Sequence, residues 1–156
     1  MMTNLICDVL KALEGKSLVT AESCTGGGVG AAITSVPGSS SVYKGGIICY
    51  TNWVKENILE IEGKILDKYG AVSIPVASAM ALHSRLMLDA DVSVSVTGLA
   101  GPGGDEYGNP IGTVCIGFSS KERSFAKQFR FNGDREEVRQ RAIHAALTLI
   151  LEMMSE

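Results

Sequence analysis

At 156 residues, with 46% hydrophobic and 20% charged side chains, the chain has the composition of a globular protein with one core, not of a disordered or fibrous one. A formal net charge of −3 and an aromatic content of 6% exclude a broad positive field and a base-stacking platform, and with them a general nucleic-acid binder. Cys7, Cys24, Cys49 and Cys115 form no C-x-x-C and no Cys/His grouping, which excludes a zinc framework or thioredoxin-like motif and reads as reduced, mostly buried thiols.

Residues 5–14 place Leu5, Ile6, Val9, Leu10 and Leu13 on one helical face, with Thr3 or Asn4 as cap and Gly15 as stop. This opening segment carries acidic and lysine residues where a signal peptide needs a longer apolar stretch. No segment reaches the length of a membrane span, so the expected location is the cytoplasm, with no membrane partner. Ser17–Ala21 predicts a strand, Glu22 to Gly27 a polar turn, and Gly28–Val36 a small-residue helix broken by Pro37-Gly38. Gly46–Tyr50 predicts a buried strand, followed by the polar run Thr51–Lys55 and short helical pieces up to Gly70. Ser73 and Pro75 start a helix whose apolar stripe is Val76, Ala79, Met80, His83, Leu86 and Met87. Val92, Val94 and Val96 alternate with Ser93 and Ser95, the clearest strand signal in the chain. That strand runs into a long glycine-rich connection, Thr97 to Pro110, of a length that is usually functional or disordered. Ile111–Phe118 and Ser124–Phe131 predict an antiparallel hairpin. Asp134 caps a final helix with Glu136 and Glu137 in its first turn and Val138, Ala142, Ala145, Ala146, Leu149 and Met153 inward. Helices and strands interleave, and the hairpin excludes a purely parallel sheet. The expected fold class is α/β: a three-layer α/β/α sandwich with a mixed sheet, one domain over residues 1–156.

Both glycine-bearing turns follow strands, and ligands collect at the carboxyl ends of strands in open α/β sheets. In the first turn, the N–H groups around Thr25, Gly26 and Gly27 can hold a phosphate or a developing oxyanion, with Ser23 placed as a nucleophile and Cys24 as its rival. The plainer reading is that Ser23 or Thr25 merely caps the next helix. For the second loop the plainer reading is a mobile surface segment. Neither loop has the Walker or Rossmann pattern, so ATP and NAD sites are unsupported. A serine nucleophile needs a base. His83 lies on an apolar stripe and His144 on the last helix, positions that suit packing or surface. The remaining option is a lysine with a lowered pKa: Lys55, beside Tyr50 and Asn52, or else an ordinary solvated lysine. Arg135 and Arg139, four apart on the last helix, either clamp a phosphate through one of their guanidinium groups or pair with Glu136 and Glu137.

Taken together, Thr20-Ala21-Glu22-Ser23-Cys24-Thr25-Gly26-Gly27, Tyr50-Thr51-Asn52 with Lys55, Gly70-Ala71-Val72-Ser73, Thr97-Gly98-Leu99-Ala100-Gly101-Pro102-Gly103-Gly104, Pro110-Ile111-Gly112-Thr113-Val114 and Gly133-Asp134-Arg135 with Arg139 resemble the CinA carboxy-terminal domain family over essentially the whole chain. The resemblance implies an α/β sandwich and a nicotinamide-nucleotide amidohydrolase that converts nicotinamide mononucleotide to nicotinate mononucleotide and ammonia. It implies that Ser23 attacks the carboxamide carbon, that Lys55 takes its proton, and that Tyr50 assists or orients the lysine. Amides around Thr25, Gly26 and Gly27 or at Thr97 and Gly98 would hold the oxyanion. Arg139 and glycine-loop amides, among them Gly101, would hold the phosphate of a small nucleotide substrate, with Asn52 at the same rim. Such acyl transfer needs no metal and no cofactor. Two positions depart from the family pattern: Ile74 stands where a glutamate is common, and Asn109 where lysine often precedes Pro110. The Ile74 departure fits the alternative reading, a catalytically silent nucleotide-binding or regulatory module associated with competence or DNA damage. The activity of the amino-terminal nucleotide-processing domain found in longer members is not carried over. A small, apolar-rich chain is also expected to pair with a copy of itself as a dimer.

Overall fold

The structure, a computed structural model, describes residues 2–156. In chain order its elements are α1 (Met2–Ala12), β1 (Leu18–Glu22), α2 (Gly28–Thr34), a short 3-10 turn (Ser39–Ser41), β2 (Tyr43–Ile48), α3 (Asn52–Asn57), α4 (Gly63–Tyr69), α5 (Ile74–Met87), β3 (Val92–Gly98), β4 (Thr113–Ser120), β5 (Ser124–Arg130) and α6 (Arg135–Met154). The strands form one sheet in the order β2-β1-β3-β4-β5. β1 lies parallel to both β2 and β3, whereas β3, β4 and β5 are antiparallel neighbours. The sheet is mixed for the reason anticipated: a short polar turn joins β4 to β5, and a turn of that length can only reverse the chain.

Alternation along β3 assigns the two faces. Val92, Val94 and Val96 point into the larger core, where they meet α1, α2 and α6 through residues such as Ile6, Val29 and Leu147. Ser93, Ser95 and Thr97 face the other way, and each donates its hydroxyl to a main-chain carbonyl: Ser93 to Ala81, Ser95 to Ala77 at 2.6 Å, and Thr97 to Ala71 at 2.9 Å. α5 is thereby drawn close to the sheet. A side chain on Gly117 would collide with the Ser95 hydroxyl and the Ala77 carbonyl. Polar atoms on this face are satisfied without water, which lets a valine/serine strand be buried on both sides.

Three expectations from the sequence are corrected by this packing. α1 begins at Met2, so Thr3 and Asn4 lie inside the helix and do not cap it. β2 is an edge strand, not a buried one. Its residues alternate between half-buried and exposed, and Ile48 is 55% exposed. α5 presents Val76, Ala77, Met80, Ala81, Ser84 and Arg85 inward, while Leu86 and Met87 face solvent. The close approach of α5 to Ser93, Ser95 and Gly117 needs small residues on the contact face, and that requirement outweighs the pull of the larger side chains. α6 is capped as its sequence indicates, by a capping box in which Asp134 accepts from the Glu137 N–H and Glu137 accepts from the Asp134 N–H.

The glycine-rich connection is tied down along its length. Thr97 and Gly98 belong to β3. The Asp105 carboxylate accepts the N–H groups of Tyr107 and Asn109, and the Asn109 amide bridges Asp105 and the Val72 carbonyl. The Tyr107 hydroxyl donates to the Asp67 carbonyl at 2.7 Å, and its ring covers Gly70, where a Cβ would collide with it. Among the described residues, no helix is long and apolar enough to cross a membrane.

Candidate active site

The carboxyl ends of β2, β1 and β3 lie side by side, and the chain leaves β1 at the point where its neighbours on either side are parallel to it. Ser23 is the first residue beyond β1. Its N–H continues the ladder to Val96 at 2.8 Å, so the backbone that carries its hydroxyl is part of the sheet. On the other side, the Cys49 N–H bonds Glu22 at 2.8 Å and brings the end of β2 alongside. Thr51 then caps α3, and Lys55 is the one buried residue of that six-residue helix.

The lysine is 1% exposed. Its Nζ donates to Ser23 Oγ at 2.9 Å, to the Cys49 carbonyl at 2.7 Å and to the Tyr50 carbonyl at 3.4 Å. All three acceptors are neutral, and none of the ion pairs among the described residues involves Lys55. Burial therefore lowers its pKa below the ordinary 10.5, with Cys49 and Cys24 acting weakly in the other direction. Ser23 Oγ donates in turn to the Tyr50 carbonyl, at 3.4 Å. The contact sets a hydroxyl beside an amine whose pKa is lowered, a pairing that can support nucleophilic chemistry. The neighbouring Cys24 makes no such hydrogen bond to Lys55. Burial pushes its thiol up to about 11, and its sulfur packs against Gly98, where an added Cβ would sit 3.1 Å away.

Ser23, Tyr50, Asn52 and Lys55 line a cavity of about 290 Å³ together with Thr97, Gly98, Gly101 and Arg135. It adjoins a hollow of about 280 Å³, also bounded by Asn52, that lies under the loop carrying Asp105 and Glu106. Thr25, Gly26, Gly27 and Arg139 do not line the cavity. The Tyr50 phenol is directed not to Lys55 but to Arg135, whose Nη2 donates to it at 3.1 Å while Nη1 donates to the Gly101 carbonyl at 2.6 Å. Arg139 lies behind the first turn: Nε donates to the Cys24 carbonyl at 3.1 Å, Nη2 to the Thr25 carbonyl at 3.2 Å, and Nη1 pairs with Glu136. Trp53, on the outer face of α3, is 65% exposed.

Glu22 is the residue whose part the sequence did not suggest. Its buried carboxylate accepts the Thr25 hydroxyl at 2.6 Å and the N–H groups of Val29 and Gly30 at 2.8 and 3.0 Å. It thus fills the start of α2, whose N-cap, Gly27, is left-handed and contributes no side chain. Neither Ser23 nor Thr25 caps that helix. No spacing rule reveals this, because the carboxylate reaches back across a turn made of two left-handed glycines, Gly26 and Gly27. The Ile74 side chain is exposed at the first turn of α5 and away from the cavity, and Asn109 holds the loop to Val72. Among the described residues no group of three or more His, Cys, Asp or Glu could hold a metal ion.

Comparison with known proteins agrees with this architecture. The family model described as CinA C-terminal domain matches residues 2–154. A CinA-like protein of Thermosipho melanesiensis is 42% identical over 149 residues, 94% of this chain and 37% of the relative. Another, from Parasynechococcus marenigrum, is 48% identical over 122 residues, 78% of this chain and 29% of the relative. The chain therefore spans about a third of the length of these curated relatives. The crystal structure of a competence-damaged protein (CinA) superfamily protein from Escherichia coli superposes with a TM-score of 0.95 at 35% identity, covering 98% of this chain and 90% of that one. The competence damage-inducible protein A of Klebsiella pneumoniae superposes with a TM-score of 0.96 at 32% identity, over 99% and 98% of the two chains. With a match along nearly its whole length in both sequence and structure, the chain belongs to the CinA C-terminal domain family.

Proposed function

We propose that the protein is a nicotinamide-nucleotide amidohydrolase that hydrolyses nicotinamide mononucleotide to nicotinate mononucleotide and ammonia. The observation that carries this reading is the 2.9 Å contact from Lys55 Nζ to Ser23 Oγ, made by a buried amine with only neutral acceptors. Once deprotonated, that nitrogen can accept the serine proton as Oγ bonds to the carboxamide carbon. The carbonyl electrons move to oxygen and form a tetrahedral oxyanion. As the oxyanion collapses, the carbon–nitrogen bond breaks and Lys55 returns the proton to the departing ammonia. Water then attacks the acyl-serine, giving up a proton to Lys55, and release of the acid restores the Ser23 hydroxyl. In this reading Tyr50 serves through its main-chain carbonyl and through the phenol that holds Arg135. Arg135, exposed at the mouth of the cavity, is the guanidinium available to a substrate phosphate, which would replace its contacts to Gly101 and Tyr50. Arg139 has its donors committed to the turn and to Glu136. Four cysteines without a disulfide support a reducing compartment, the cytoplasm.

The alternative, a silent binding module, loses support because the departure at Ile74 lies outside the cavity. The two readings are separated by incubating the pure chain with nicotinamide mononucleotide and measuring ammonia. Release by the native chain that disappears in Ser23→Ala is the expected result. Nucleotide binding by calorimetry with no ammonia from the native chain would establish the silent module instead.

A further inference from the structure

The turn that carries Ser23 holds a chain of aligned peptide groups with Arg139 at one end and the cavity at the other. In a trans peptide the C=O and N–H point in opposite directions. Arg139 Nη2 donates to the Thr25 carbonyl at 3.2 Å, and the N–H of that same peptide unit, on Gly26, donates to the Ser23 carbonyl at 3.0 Å. The N–H of the Ser23–Cys24 peptide unit belongs to Cys24, a residue that lines the cavity beside the nucleophile. It meets no main-chain acceptor among the described residues, and its polar neighbour is its own sulfur. Two peptide dipoles thus lie head to tail between a guanidinium and the N–H of the residue that follows Ser23. A cation at the carbonyl end of such a chain polarises each bond in turn and makes the terminal N–H a better donor. The second contact of Arg139, from Nε to the Cys24 carbonyl at 3.1 Å, fixes the intervening peptide plane, and the ion pair with Glu136 holds the guanidinium in place.

We propose that Arg139 is a positioning residue for the oxyanion: it acts through the Thr25–Gly26 and Ser23–Cys24 peptide groups to set and strengthen the Cys24 N–H as the donor that meets the developing negative charge. The inference rests on the acyl-transfer reading of Ser23 and adds to it the identity of the donor and of its support. It separates the two arginines of α6, Arg135 toward the substrate phosphate and Arg139 toward the transition state. Interactions realised only in the transition state appear in kcat, and those made equally to bound substrate appear in KM.

The test compares Arg139→Met, Arg139→Lys and Arg139→Ala with Arg135→Ala. With nicotinamide mononucleotide, Arg139→Met should lower kcat on the order of 10²-fold with KM within about twofold, as for loss of an oxyanion donor. Arg139→Lys should recover only part of this, because an ammonium cannot span both carbonyls. Millimolar guanidinium should restore turnover to Arg139→Ala, whose side-chain site is partly open to solvent, and should do nothing for native protein. Arg135→Ala should instead raise KM. A second readout does not depend on the substrate being right. In the reaction with diisopropyl fluorophosphate, Ser23 Oγ bonds to phosphorus, fluoride leaves, and the serine proton passes to Lys55; intact mass follows the adduct. Slowing of this labelling in Arg139→Met, reversed by guanidinium in Arg139→Ala, supports the inference even if no ammonia is released from the nucleotide. Labelling at the native rate in folded Arg139→Met, or a rise in KM with kcat retained, would overturn it.

Discussion

Replacing Lys55 by methionine is expected to lower ammonia release on the order of 10³-fold or more while leaving the chain folded. Methionine fills a similar volume and brings no charge into a site where the native ammonium has only neutral acceptors. The pH dependence makes the assignment sharper. Because burial holds the pKa of Lys55 below 10.5 in the folded chain, kcat/KM of the native protein should climb as pH rises toward that lowered value and then level off. The same shift bears on stability. Between the lowered pKa and 10.5, the unfolded chain binds a proton at this side chain that the folded chain does not, so unfolding free energy rises with pH across that window. At lower pH the full penalty of burying the ammonium is present, and above 10.5 it is gone. Lys55→Met should therefore flatten this part of the stability profile, as measured by urea unfolding at a series of pH values. An acid limb in kcat/KM that persists in a residually active Lys55 variant would assign the titration to another group.

Glu22→Leu is expected to destabilise the chain by roughly 3–4 kcal/mol, and Glu22→Gln by roughly 2 kcal/mol. Leucine leaves the Thr25 hydroxyl and the N–H groups of Val29 and Gly30 without an acceptor in a buried place. Glutamine can keep the two bonds made to Oε1 but turns an NH₂ toward the Gly30 N–H. For a chain of this length the glutamine variant corresponds to a fall in Tm of roughly 4–8 °C. Activity should fall further than the folded fraction does, because the turn that loses its anchor also positions Ser23. Calorimetric Tm values and ammonia release measured well below them check both parts. A Glu22→Gln variant as stable and as active as the native chain would show that the carboxylate merely fills space.

The fold was legible in the sequence because its strongest signals are periodic. Alternating Val and Ser at 92–96, the Asp134 cap and the serine-proline start of α5 each correspond to an element in the structure. The inward face of α5 was not legible, since it depends on how closely the helix approaches Ser95 and Gly117, a distance no single-segment pattern contains. At the site, the side chains proposed to carry chemistry stood out, Ser23 by its turn and Lys55 by the shortage of other bases. Their anchors did not. The Cys49 and Tyr50 carbonyls that hold Lys55, and the Thr25 and Cys24 carbonyls that hold Arg139, are main-chain atoms that every residue possesses. The separation of Arg135 from Arg139 also required three dimensions. Four residues apart on α6, they share one helix face, yet one meets the cavity mouth and the other the back of a turn.

Trp53, the single tryptophan, rides the outer face of the same short helix that buries Lys55. An indole already in water has little environment left to lose, so intrinsic emission will barely register global unfolding, and circular dichroism must follow that transition. The same exposure turns the residue into a built-in optical probe of α3. Quenching or blue-shifting by a ligand reports events two residues from Lys55, without any label attached to the chain.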